Sequence, residues 1–246
     1  MSKLPVMIYG SRGRMGRVLC DLAASCEAEV VSTVDQNEGD LASGIQKAAV
    51  AIDFSFHAAT VKLLDAATAA GKAVVIGTTG HTAEEKERIH AAAQQIPVVW
   101  AGNYSVGVNL LFYLTRKAAS ILGEDYQPEV LELHHRHKKD APSGTAANLV
   151  DLVREARELP ESAVVNGREG ITGERPNDQI GVHAIRGGQI IGEHTVFFIG
   201  EQDRIELTHR AQDRGIFARG AHRAARWASQ QQPGLYDMRD VLGLKD

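Results

Sequence analysis

A glycine-rich loop between an apolar strand pattern and a helix pattern constrains the fold of this chain more than any other feature. The run Val6-Met7-Ile8-Tyr9 leads into Gly10, and Gly13 and Gly16 follow at the start of a helix predicted over residues 15–24. Glycines at such a junction allow a tight turn, a close approach of the backbone to a diphosphate, and close packing of helix on strand. The helix start also offers unpaired N–H groups to an anion.

An acidic residue at the end of the second strand pattern strengthens this prediction. Asp35 closes a strand predicted over residues 30–34, roughly twenty residues after the loop, where a carboxylate can accept ribose hydroxyls. The spacing is G-x-x-G-x-x-G rather than the commoner G-x-G-x-x-G, so the flanking strand and helix carry the interpretation. The alternative is an ordinary glycine turn with a surface aspartate. We expect a dinucleotide site.

Strand and helix patterns continue to alternate up to residue 100. Strands are predicted over 50–54, 74–76 and 97–100, and helices over 57–70 and 82–94. Thr82 and Glu85 form a capping-box pair at the start of the second of these helices. Short, continuously apolar strands separated by helices are typical of a parallel sheet covered on both faces. The sequence therefore predicts a doubly wound, Rossmann-like α/β domain.

Two turns follow strands of this sheet. Gly77-Thr78-Thr79-Gly80 follows the fourth strand pattern, and Ala101-Gly102-Asn103-Tyr104-Ser105 follows the fifth. The carboxyl ends of the strands line the ligand crevice of a doubly wound sheet, so we expect both turns to contact a dinucleotide. Plain turns between strand and helix are the alternative.

The pattern changes after Ser105. A helix is predicted over 108–122, a strand over 130–134 and a helix over 144–159. Three strand patterns then follow without intervening helices, over 180–185, 189–199 and 204–211. Neighbouring strands of this kind predict antiparallel pairing, hence an α+β domain with a largely antiparallel or mixed sheet. A last helix, over 217–230, is expected to cover the first sheet. We assign residues 1–105 and 216–246 to a dinucleotide-binding domain, and 106–215 to a substrate-binding and oligomerisation domain.

Histidines and lysines are concentrated in one segment of the second domain, His134-His135-Arg136-His137-Lys138-Lys139, which is followed by Ser143-Gly144-Thr145. Three interpretations compete: a metal site, a solvated charged loop and a site for an anionic substrate. The interspersed cations oppose a divalent metal, and there is no His-Glu-x-x-His pattern and no cysteine partner. We favour the anion site, where hydroxyls and N–H groups at a helix start bind carboxylates and one imidazole or ammonium delivers a proton.

Composition excludes several other classes of protein. The chain has 27 basic and 31 acidic side chains, so no basic excess exists to neutralise a nucleic-acid backbone. No apolar run approaches the roughly 20 residues that span a bilayer. Cys20 and Cys26 are interpreted as free thiols in a reducing compartment, and the N-terminus runs straight into a strand without a signal peptide. We expect a cytoplasmic protein without a nucleic-acid or membrane partner.

Several motifs resemble the dihydrodipicolinate reductase (4-hydroxy-tetrahydrodipicolinate reductase) family, and the likeness extends over essentially the whole chain. They are Gly-x-x-Gly-Arg-Met-Gly at 10–16, Glu-x-His-His-Arg-His-Lys-x-Asp-Ala-Pro-Ser-Gly-Thr-Ala at 132–146, Gly-Glu-His-Thr-Val at 192–196, Glu-Leu-Thr-His-Arg-Ala at 206–211, and Gly-Leu-Tyr-Asp-Met-Arg-Asp-Val-Leu at 234–242. The resemblance implies reduction of 4-hydroxy-tetrahydrodipicolinate, a cyclic imine dicarboxylate, on the diaminopimelate route to lysine. It also implies a homotetramer built through the second domain.

The resemblance also implies roles for individual residues. His134 would be the proton donor and acceptor, and Lys138 the second proton donor. His135, Gly144 and Thr145 would bind the substrate carboxylates. The residues that would hold NADH or NADPH are Gly10, Ser11, Arg12, Gly13, Arg14, Met15, Asp35, Gly77, Thr78, Thr79, Ala101, Gly102, Asn103 and Tyr104.

One position departs from the family pattern. Many members follow the acidic ribose residue with an arginine for the 2′-phosphate of NADPH, whereas this chain has Gln36. We therefore expect NADH to be preferred, or NADH and NADPH to be used alike. A non-catalytic redox sensor and a different nicotinamide reductase are the alternative functions. A sensor has no need of the histidine–lysine segment, but the fold alone does not determine a reductase's substrate.

Overall fold

The alternating patterns of the N-terminal half form the first of two units in this 246-residue chain. The computed structural model describes residues 3–36 and 38–244. Backbone contacts divide the chain into one unit of Met1–Val106 with Arg214–Asp246 and a second unit of Gly107–Asp213. The chain crosses between the units twice, after Val106 and after Asp213.

The strands and helices are numbered in chain order. The strands are β1 (Leu4–Tyr9), β2 (Ala28–Val34), β3 (Val50–Asp53), β4 (Ala73–Ile76), β5 (Pro97–Trp100), β6 (Gln127–His134), β7 (Val164–Asn166), β8 (Ile180–Arg186), β9 (Glu193–Ile199), β10 (Arg204–Arg210) and β11 (Gly234–Tyr236). The helices are α1 (Arg14–Leu22), α2 (Leu41–Lys47), α3 (His57–Ala70), α4 (Ala83–Ala93), α5 (Val106–Leu122), α6 (Gly144–Ala156), α7 (Gly215–Ala228) and α8 (Met238–Leu242).

The first unit contains a six-stranded sheet with the order β11-β5-β4-β3-β1-β2. Every neighbouring pair in it is parallel. Buried side chains lie on both faces: Val6 and Ile8 of β1 belong to one core with α1 and α7, whereas Met7 and Tyr9 belong to another with α3 and α4. Strands buried on both faces must be apolar at successive positions, which is the pattern that predicted this doubly wound fold. The prediction is confirmed.

Local signals placed several helix boundaries correctly. Thr82 accepts the Glu85 N–H while the Glu85 carboxylate accepts the Thr82 N–H, so the predicted capping box starts α4. Helix α3 ends at Gly71, whose φ of 63° is left-handed. The predicted C-terminal helix is α7, which packs against β3, β4 and β5 of the first sheet.

Three short elements of the first unit, α2, β11 and the five-residue α8, were not predicted. Helix α2 has only seven residues and includes a glycine and a serine, and Asp40 caps it by accepting the Ala42 N–H. Strand β11 has three residues and pairs with β5. The first helix was predicted to run to residue 24 but ends at Leu22, and a 3₁₀ turn over Ala24–Cys26 follows. Elements this short carry little periodicity, so their positions depend on packing.

The second unit contains a five-stranded sheet with the order β10-β9-β6-β8-β7. The predicted antiparallel pairing is correct for β9 and β10, but it is wrong for β8 and β9, because β6 lies between them and β8 pairs with it in parallel. The sheet is therefore mixed. Strand β9 begins at Glu193 rather than residue 189, and helix α6 ends at Ala156 rather than 159.

Cys20 and Cys26 are both free thiols, as predicted. Within residues 3–36 and 38–244, no helix is both long and apolar enough to cross a membrane.

Candidate active site

The glycine loop of the first unit has the tight geometry that its sequence predicts. Gly10 follows β1 with a φ of +84°, and a Cβ atom built there would lie 2.6 Å from the Phe54 carbonyl oxygen. At Gly16, a Cβ would lie 2.1 Å from the Gly10 carbonyl oxygen. A real Cβ atom essentially never lies this close to another heavy atom. These two positions therefore need glycine, Gly10 for the turn and Gly16 for the packing of α1 on β1.

The N-terminus of α1 faces the same loop. Gly13 is its N-cap residue, and no side chain from the described residues caps the helix there. The first N–H groups of an α-helix have no partner within the helix, and the helix dipole adds positive potential at this end. Arg14 is the first helical residue, and Met15 packs against the core beneath it. This end of α1 is suited to bind a diphosphate.

Asp35 lies immediately after β2 and next to the glycine loop. Its carboxylate accepts the backbone N–H groups of Arg12 and Gln36, each at 2.8 Å. These hydrogen bonds, the Arg12 bond first, hold the pKa of Asp35 below its usual value, so the carboxylate is ionised at neutral pH. The Arg12 guanidinium is turned to Glu38, whose carboxylate accepts its Nε–H. Two carboxylates and the uncharged Gln36 thus surround this end of the loop.

A cavity of about 580 Å³ lies at this edge of the first sheet. Gly10, Gly13, Asp35 and Gln36 line one part of it, and the turn 54–56 lines another. The cavity joins a helix N-terminus, an exposed N-cap glycine and an ionised carboxylate, which are the groups that bind the diphosphate and ribose of a dinucleotide. The residues present therefore fit the diphosphate and ribose of a dinucleotide.

The turn after β4 packs against the turn after β3. Gly77 lies beneath the Phe54 ring, because a Cβ there would be 2.2 Å from the ring carbon Cζ. Thr78 is buried, and its hydroxyl oxygen accepts the Ser55 N–H at 3.0 Å. Thr79 is exposed at the same turn. Both turns belong to the carboxyl edge of the sheet, although only the turn after β4 was predicted to contact a ligand there.

The turn after β5 holds Ala101, Gly102, Asn103 and Tyr104. The Tyr104 side chain is 1% exposed, and its hydroxyl lies 2.9 Å from the Ile76 carbonyl oxygen. The tyrosine ring therefore belongs to the core, and only its backbone is available to a ligand. Asn103 accepts the Ser105 N–H through its side-chain oxygen, which stabilises the turn. Gly102 has open space at its Cβ position.

Sequence reasoning missed Asp53, which supports the turn 54–56. Its side chain is fully buried and accepts the Ser55 N–H at 2.9 Å, the Ser55 hydroxyl at 2.5 Å and the Thr60 hydroxyl at 2.7 Å. Burial raises the pKa of Asp53 despite these three hydrogen bonds. An aspartate at the end of an apolar strand was the signal that could have identified it.

In the second unit, Glu132 and His134 lie on the same face of β6, since they are two residues apart on a strand. The His134 Nδ1 atom is 2.5 Å from the Glu132 Oε2 atom. Glu132 is fully buried, and it also accepts the Ser143 N–H at 3.0 Å and both terminal nitrogens of Arg186 at 2.8 and 2.6 Å. Burial raises the pKa of Glu132, but its hydrogen bonds to Arg186 and His134 outweigh burial and hold that pKa below its ordinary value.

Burial also decides the charge of His134. It lowers the pKa of the imidazole, the Glu132 carboxylate raises it, and nearby Lys138 and Arg186 lower it; the net pKa lies below the ordinary value of histidine. His134 is therefore mostly neutral at neutral pH.

The lysines and other histidines occupy a turn beyond the end of β6. Lys138 donates from Nζ to both carboxylate oxygens of Asp140 at 2.9 Å, and its backbone N–H bonds to the His135 carbonyl. His135 is half-buried and His137 is exposed, with their ring centres 6.1 Å apart. The predicted donors His134 and Lys138 thus lie in one short stretch, whereas His137 lies on its outer side.

Helix α6 begins beside this cluster. Ser143 is its N-cap and accepts the Ala146 N–H at 3.1 Å, while Gly144 has open space at its Cβ position. The Ser143 hydroxyl also lies 3.0 Å from the His194 Nε2 atom. Burial lowers the pKa of His194 to about 4, so this imidazole is neutral. Gly144 and Thr145 accordingly form the first turn of a helix next to His134, Glu132 and Lys138.

Sequence reasoning missed Arg186 and His194, because both come from strands distant in the chain. The Gly-Glu-His-Thr-Val motif at 192–196 was a signal for His194. No motif contained Arg186. Among the described residues, no group of three or more histidines, cysteines, aspartates and glutamates is arranged to hold a metal ion.

Comparisons with known proteins agree with this architecture. The family described as "Dihydrodipicolinate reductase, N-terminus" matches residues 4–104, and "Dihydrodipicolinate reductase, C-terminus" matches residues 107–242. A 4-hydroxy-tetrahydrodipicolinate reductase of Akkermansia muciniphila is 51% identical over 98% of this chain and 98% of its own length. One from Thiobacillus denitrificans is 47% identical over the same shares.

A solved structure shows the same fold. The dipicolinate-bound dihydrodipicolinate reductase from Paenisporosarcina sp. TG-14 superposes with a TM-score of 0.78, at 23% sequence identity, over 96% of this chain and 97% of its own. The family matches cover both units and the curated relatives agree over nearly the full length. The chain therefore belongs to the dihydrodipicolinate reductase family, whose members reduce 4-hydroxy-tetrahydrodipicolinate with a reduced nicotinamide dinucleotide on the diaminopimelate route to lysine.

Proposed function

We propose that His134 and Lys138 supply the protons for this reduction, and that the first turn of α6 binds the substrate. The observation that carries the proposal is the cluster at the end of β6, where a buried Glu132–His134 pair lies beside Lys138 and a helix N-terminus. The unit Met1–Val106 with Arg214–Asp246 would hold the dinucleotide, and Gly107–Asp213 the substrate.

The groups around the start of α6 suit a substrate that carries negative charge. The relative from Paenisporosarcina binds dipicolinate, a planar ring with two carboxylates. In this chain, the N–H groups of Gly144 and Thr145 at the start of α6 suit one carboxylate, and His135 and the neighbouring cations suit the other. An anionic substrate explains why a protein with a net charge of −4 concentrates its cations in this segment.

Reduction of 4-hydroxy-tetrahydrodipicolinate requires that the 4-hydroxyl leave as water with a proton from the neighbouring ring carbon, which gives a conjugated cyclic imine. One hydride and one proton then add to that imine. A reduced dinucleotide, when bound, would supply the hydride, and the enamine carbon that receives the electron pair must then be protonated. His134 is mostly neutral at neutral pH, so it requires protonation from solvent or from another group before it donates. Lys138 carries three N–H donors on its ammonium and stands beside the same strand end. His134 and Lys138 together therefore offer two groups from which the enamine carbon can be protonated.

Substitution of the two donors tests this assignment. Lys138→Ala and His134→Ala should each lower kcat about 10²–10⁴-fold, because the loss of a positioned proton donor removes general acid catalysis. NADH affinity, measured by fluorescence titration, should stay near its wild-type value, because the dinucleotide is assigned to the other unit. His137→Ala is the matched control, since His137 is an exposed histidine of the same turn. Circular dichroism shows whether each variant is folded. A folded Lys138→Ala protein with near-wild-type kcat removes Lys138 from the mechanism.

We also propose that NADH is preferred, or that both dinucleotides are used. Asp35 is ionised, Gln36 cannot neutralise a 2′-phosphate, and Glu38 pairs with Arg12 of the glycine loop. The local charge thus opposes a further phosphate by about 1–2 kcal/mol, or roughly five- to thirtyfold in affinity. A tenfold or greater preference for NADPH in kcat/KM overturns this proposal.

The second sheet supports a homotetramer. Strand β6 alternates buried residues, such as Val130, with half-buried ones, such as Leu131 and Leu133. Ile185 pairs with Leu133 on this second face and is 47% exposed, and Ile199 is 37% exposed. An apolar sheet face open to water is typical of a subunit interface, and closed symmetry then favours a tetramer. The free thiols of Cys20 and Cys26 and the use of a reduced dinucleotide support a cytoplasmic enzyme.

A further inference from the structure

We infer that Glu132 is a positioning residue that fixes the tautomer of His134, so that the His134 Nε2 atom is the one that exchanges the proton. The inference rests on the proposed role of His134. It adds a residue that touches neither substrate nor dinucleotide and acts through the imidazole. Arg186 and the Ser143 N–H donate hydrogen bonds to the Glu132 carboxylate and favour its ionised form.

The Glu132 carboxylate has three close partners, Arg186, the Ser143 backbone and His134. An ionised carboxylate only accepts, and all its neighbours must donate. Arg186 and the Ser143 backbone can only donate, so the remaining close partner, His134 Nδ1 at 2.5 Å, must carry a proton as well. A neutral imidazole has one N–H, and here it lies on Nδ1. The Nε2 atom then carries the lone pair of the ring, so it is the nitrogen that accepts a proton and later donates it to the substrate.

The surroundings of Nε2 are consistent with this role. A Cβ atom built on Gly192 would lie 3.0 Å from His134 Nε2 and 3.7 Å from the Cε1 atom of His194. A side chain at position 192 would therefore press on the nitrogen that exchanges the proton. Glycine at position 192 avoids this contact with Nε2. The other ring nitrogen, Nδ1, is hydrogen-bonded to Glu132.

Four charged or titratable groups act on His134. The Glu132 carboxylate raises its pKa, and Lys138 and Arg186 lower it. His194, whose ring centre is 5.1 Å away, is neutral because burial lowers its own pKa to about 4. Replacing Glu132 by glutamine removes the carboxylate that raises the pKa of His134. The protonated form of His134 should then be lost at a lower pH than in the wild type.

Glu132→Gln is the first test. A glutamine amide can donate to Nδ1 and favour the wrong tautomer, so we expect kcat to fall about 10²-fold or more. We also expect the limb of the kcat/KM pH profile that reports His134 to move to lower pH, with NADH affinity unchanged. A purely structural role for Glu132 would lower the melting temperature without moving that limb.

Glu129→Gln is the matched control. Glu129 also lies on β6, and it accepts hydrogen bonds from Arg168 and Arg175, but it belongs to the opposite face of the strand from His134. The same substitution in the same strand removes a comparably paired carboxylate without touching the imidazole. We expect the position of the pH limb to stay at its wild-type value in this variant, even where stability falls.

A measurement on the unmodified enzyme keeps the inference testable if Glu132→Gln does not fold. The ¹⁵N chemical shifts of histidine-labelled protein, with His134 assigned by comparison with His134→Gln, report which ring nitrogen carries the proton. Protonation at Nδ1 near neutral pH supports the inference, and protonation at Nε2 overturns it.

The role of His134 and the role of Glu132 are distinguished by different results. A folded His134→Ala enzyme with near-wild-type kcat removes the proposed proton donor itself. An inactive His134→Ala together with a Glu132→Gln enzyme of wild-type kcat and unchanged pH profile leaves His134 in place and overturns only the role of Glu132.

Discussion

Two buried carboxylates in this chain differ in the partners that hold them. Glu132 is paired with the Arg186 guanidinium, and its pKa is held below the ordinary value despite full burial. Asp53 is equally buried, but its partners are the hydroxyls and N–H of Ser55 and Thr60, and burial raises its pKa. A cation next to a buried carboxylate compensates for lost hydration, whereas neutral donors do so incompletely. Glu132 is thus suited to orient an imidazole at neutral pH.

We expect cofactor choice to depend on single residues next to the glycine loop. Gln36→Arg places a cation beside Asp35, where a 2′-phosphate would lie, and its guanidinium can bind phosphate in a bidentate manner. We expect the ratio of kcat/KM for NADPH to that for NADH to rise roughly five- to thirtyfold, about 1–2 kcal/mol. Steady-state kinetics with both dinucleotides measures it.

The control for this substitution adds the same charge elsewhere. Gln94→Arg changes an exposed glutamine at the end of α4, away from the residues that line the cavity. It should leave the cofactor ratio unchanged. An unchanged ratio in Gln36→Arg as well would show that residue 36 does not face the 2′ position.

At the scale of elements, the packing of α1 on β1 determines the shape of the glycine loop, where we propose that the dinucleotide binds. Gly16→Ala would place a methyl group 2.1 Å from the Gly10 carbonyl oxygen, and Gly10 itself lies against the Phe54 carbonyl. Overpacking of this kind costs about 1–3 kcal/mol. We expect the melting temperature to fall by several degrees and NADH affinity to fall with it, because the helix N-terminus must move away from the loop.

Gly187→Ala is the control for this prediction. A Cβ at Gly187 has nothing within 4 Å, and its backbone is not left-handed. Thermal unfolding and NADH titration should therefore change little. If Gly16→Ala were as stable as Gly187→Ala and bound NADH as tightly, the close contact between α1 and β1 would not be required.

At the scale of the whole molecule, the apolar second face of the second sheet should be covered by other subunits. Ile185→Lys introduces a charge on that face, where Ile185 is 47% exposed in the single chain. Burying an unpaired ammonium in an interface is strongly unfavourable, so we expect dissociation to smaller species in sedimentation velocity.

Ile121→Lys serves as the comparison, because Ile121 is 77% exposed near the end of α5 and does not belong to the sheet. It should sediment like the wild type. Wild-type protein that sediments only as a monomer at micromolar concentration would contradict the proposed tetramer.

The sequence alone determined the features that depend on neighbouring residues. The continuous apolar strands predicted a parallel sheet, Thr82 and Glu85 predicted the start of α4, and the spacing of Gly10, Gly13 and Gly16 predicted the loop before α1. These signals are local, because backbone conformation and capping depend on residues a few positions apart. The motif at 132–146 identified the family in the same way.

Only the tertiary structure decided which distant residues meet. Arg186 reaches Glu132 because β8 pairs in parallel with β6, and His194 reaches Ser143 because β9 pairs with the other edge of β6. The sequence pattern had placed β8 beside β9 instead. Apolar patterns show that strands are buried but not which strands are neighbours, since pairing depends on the free energy of burying whole faces and on the closure of long loops. The environment of His134 was therefore decided by the fold of the second unit as a whole.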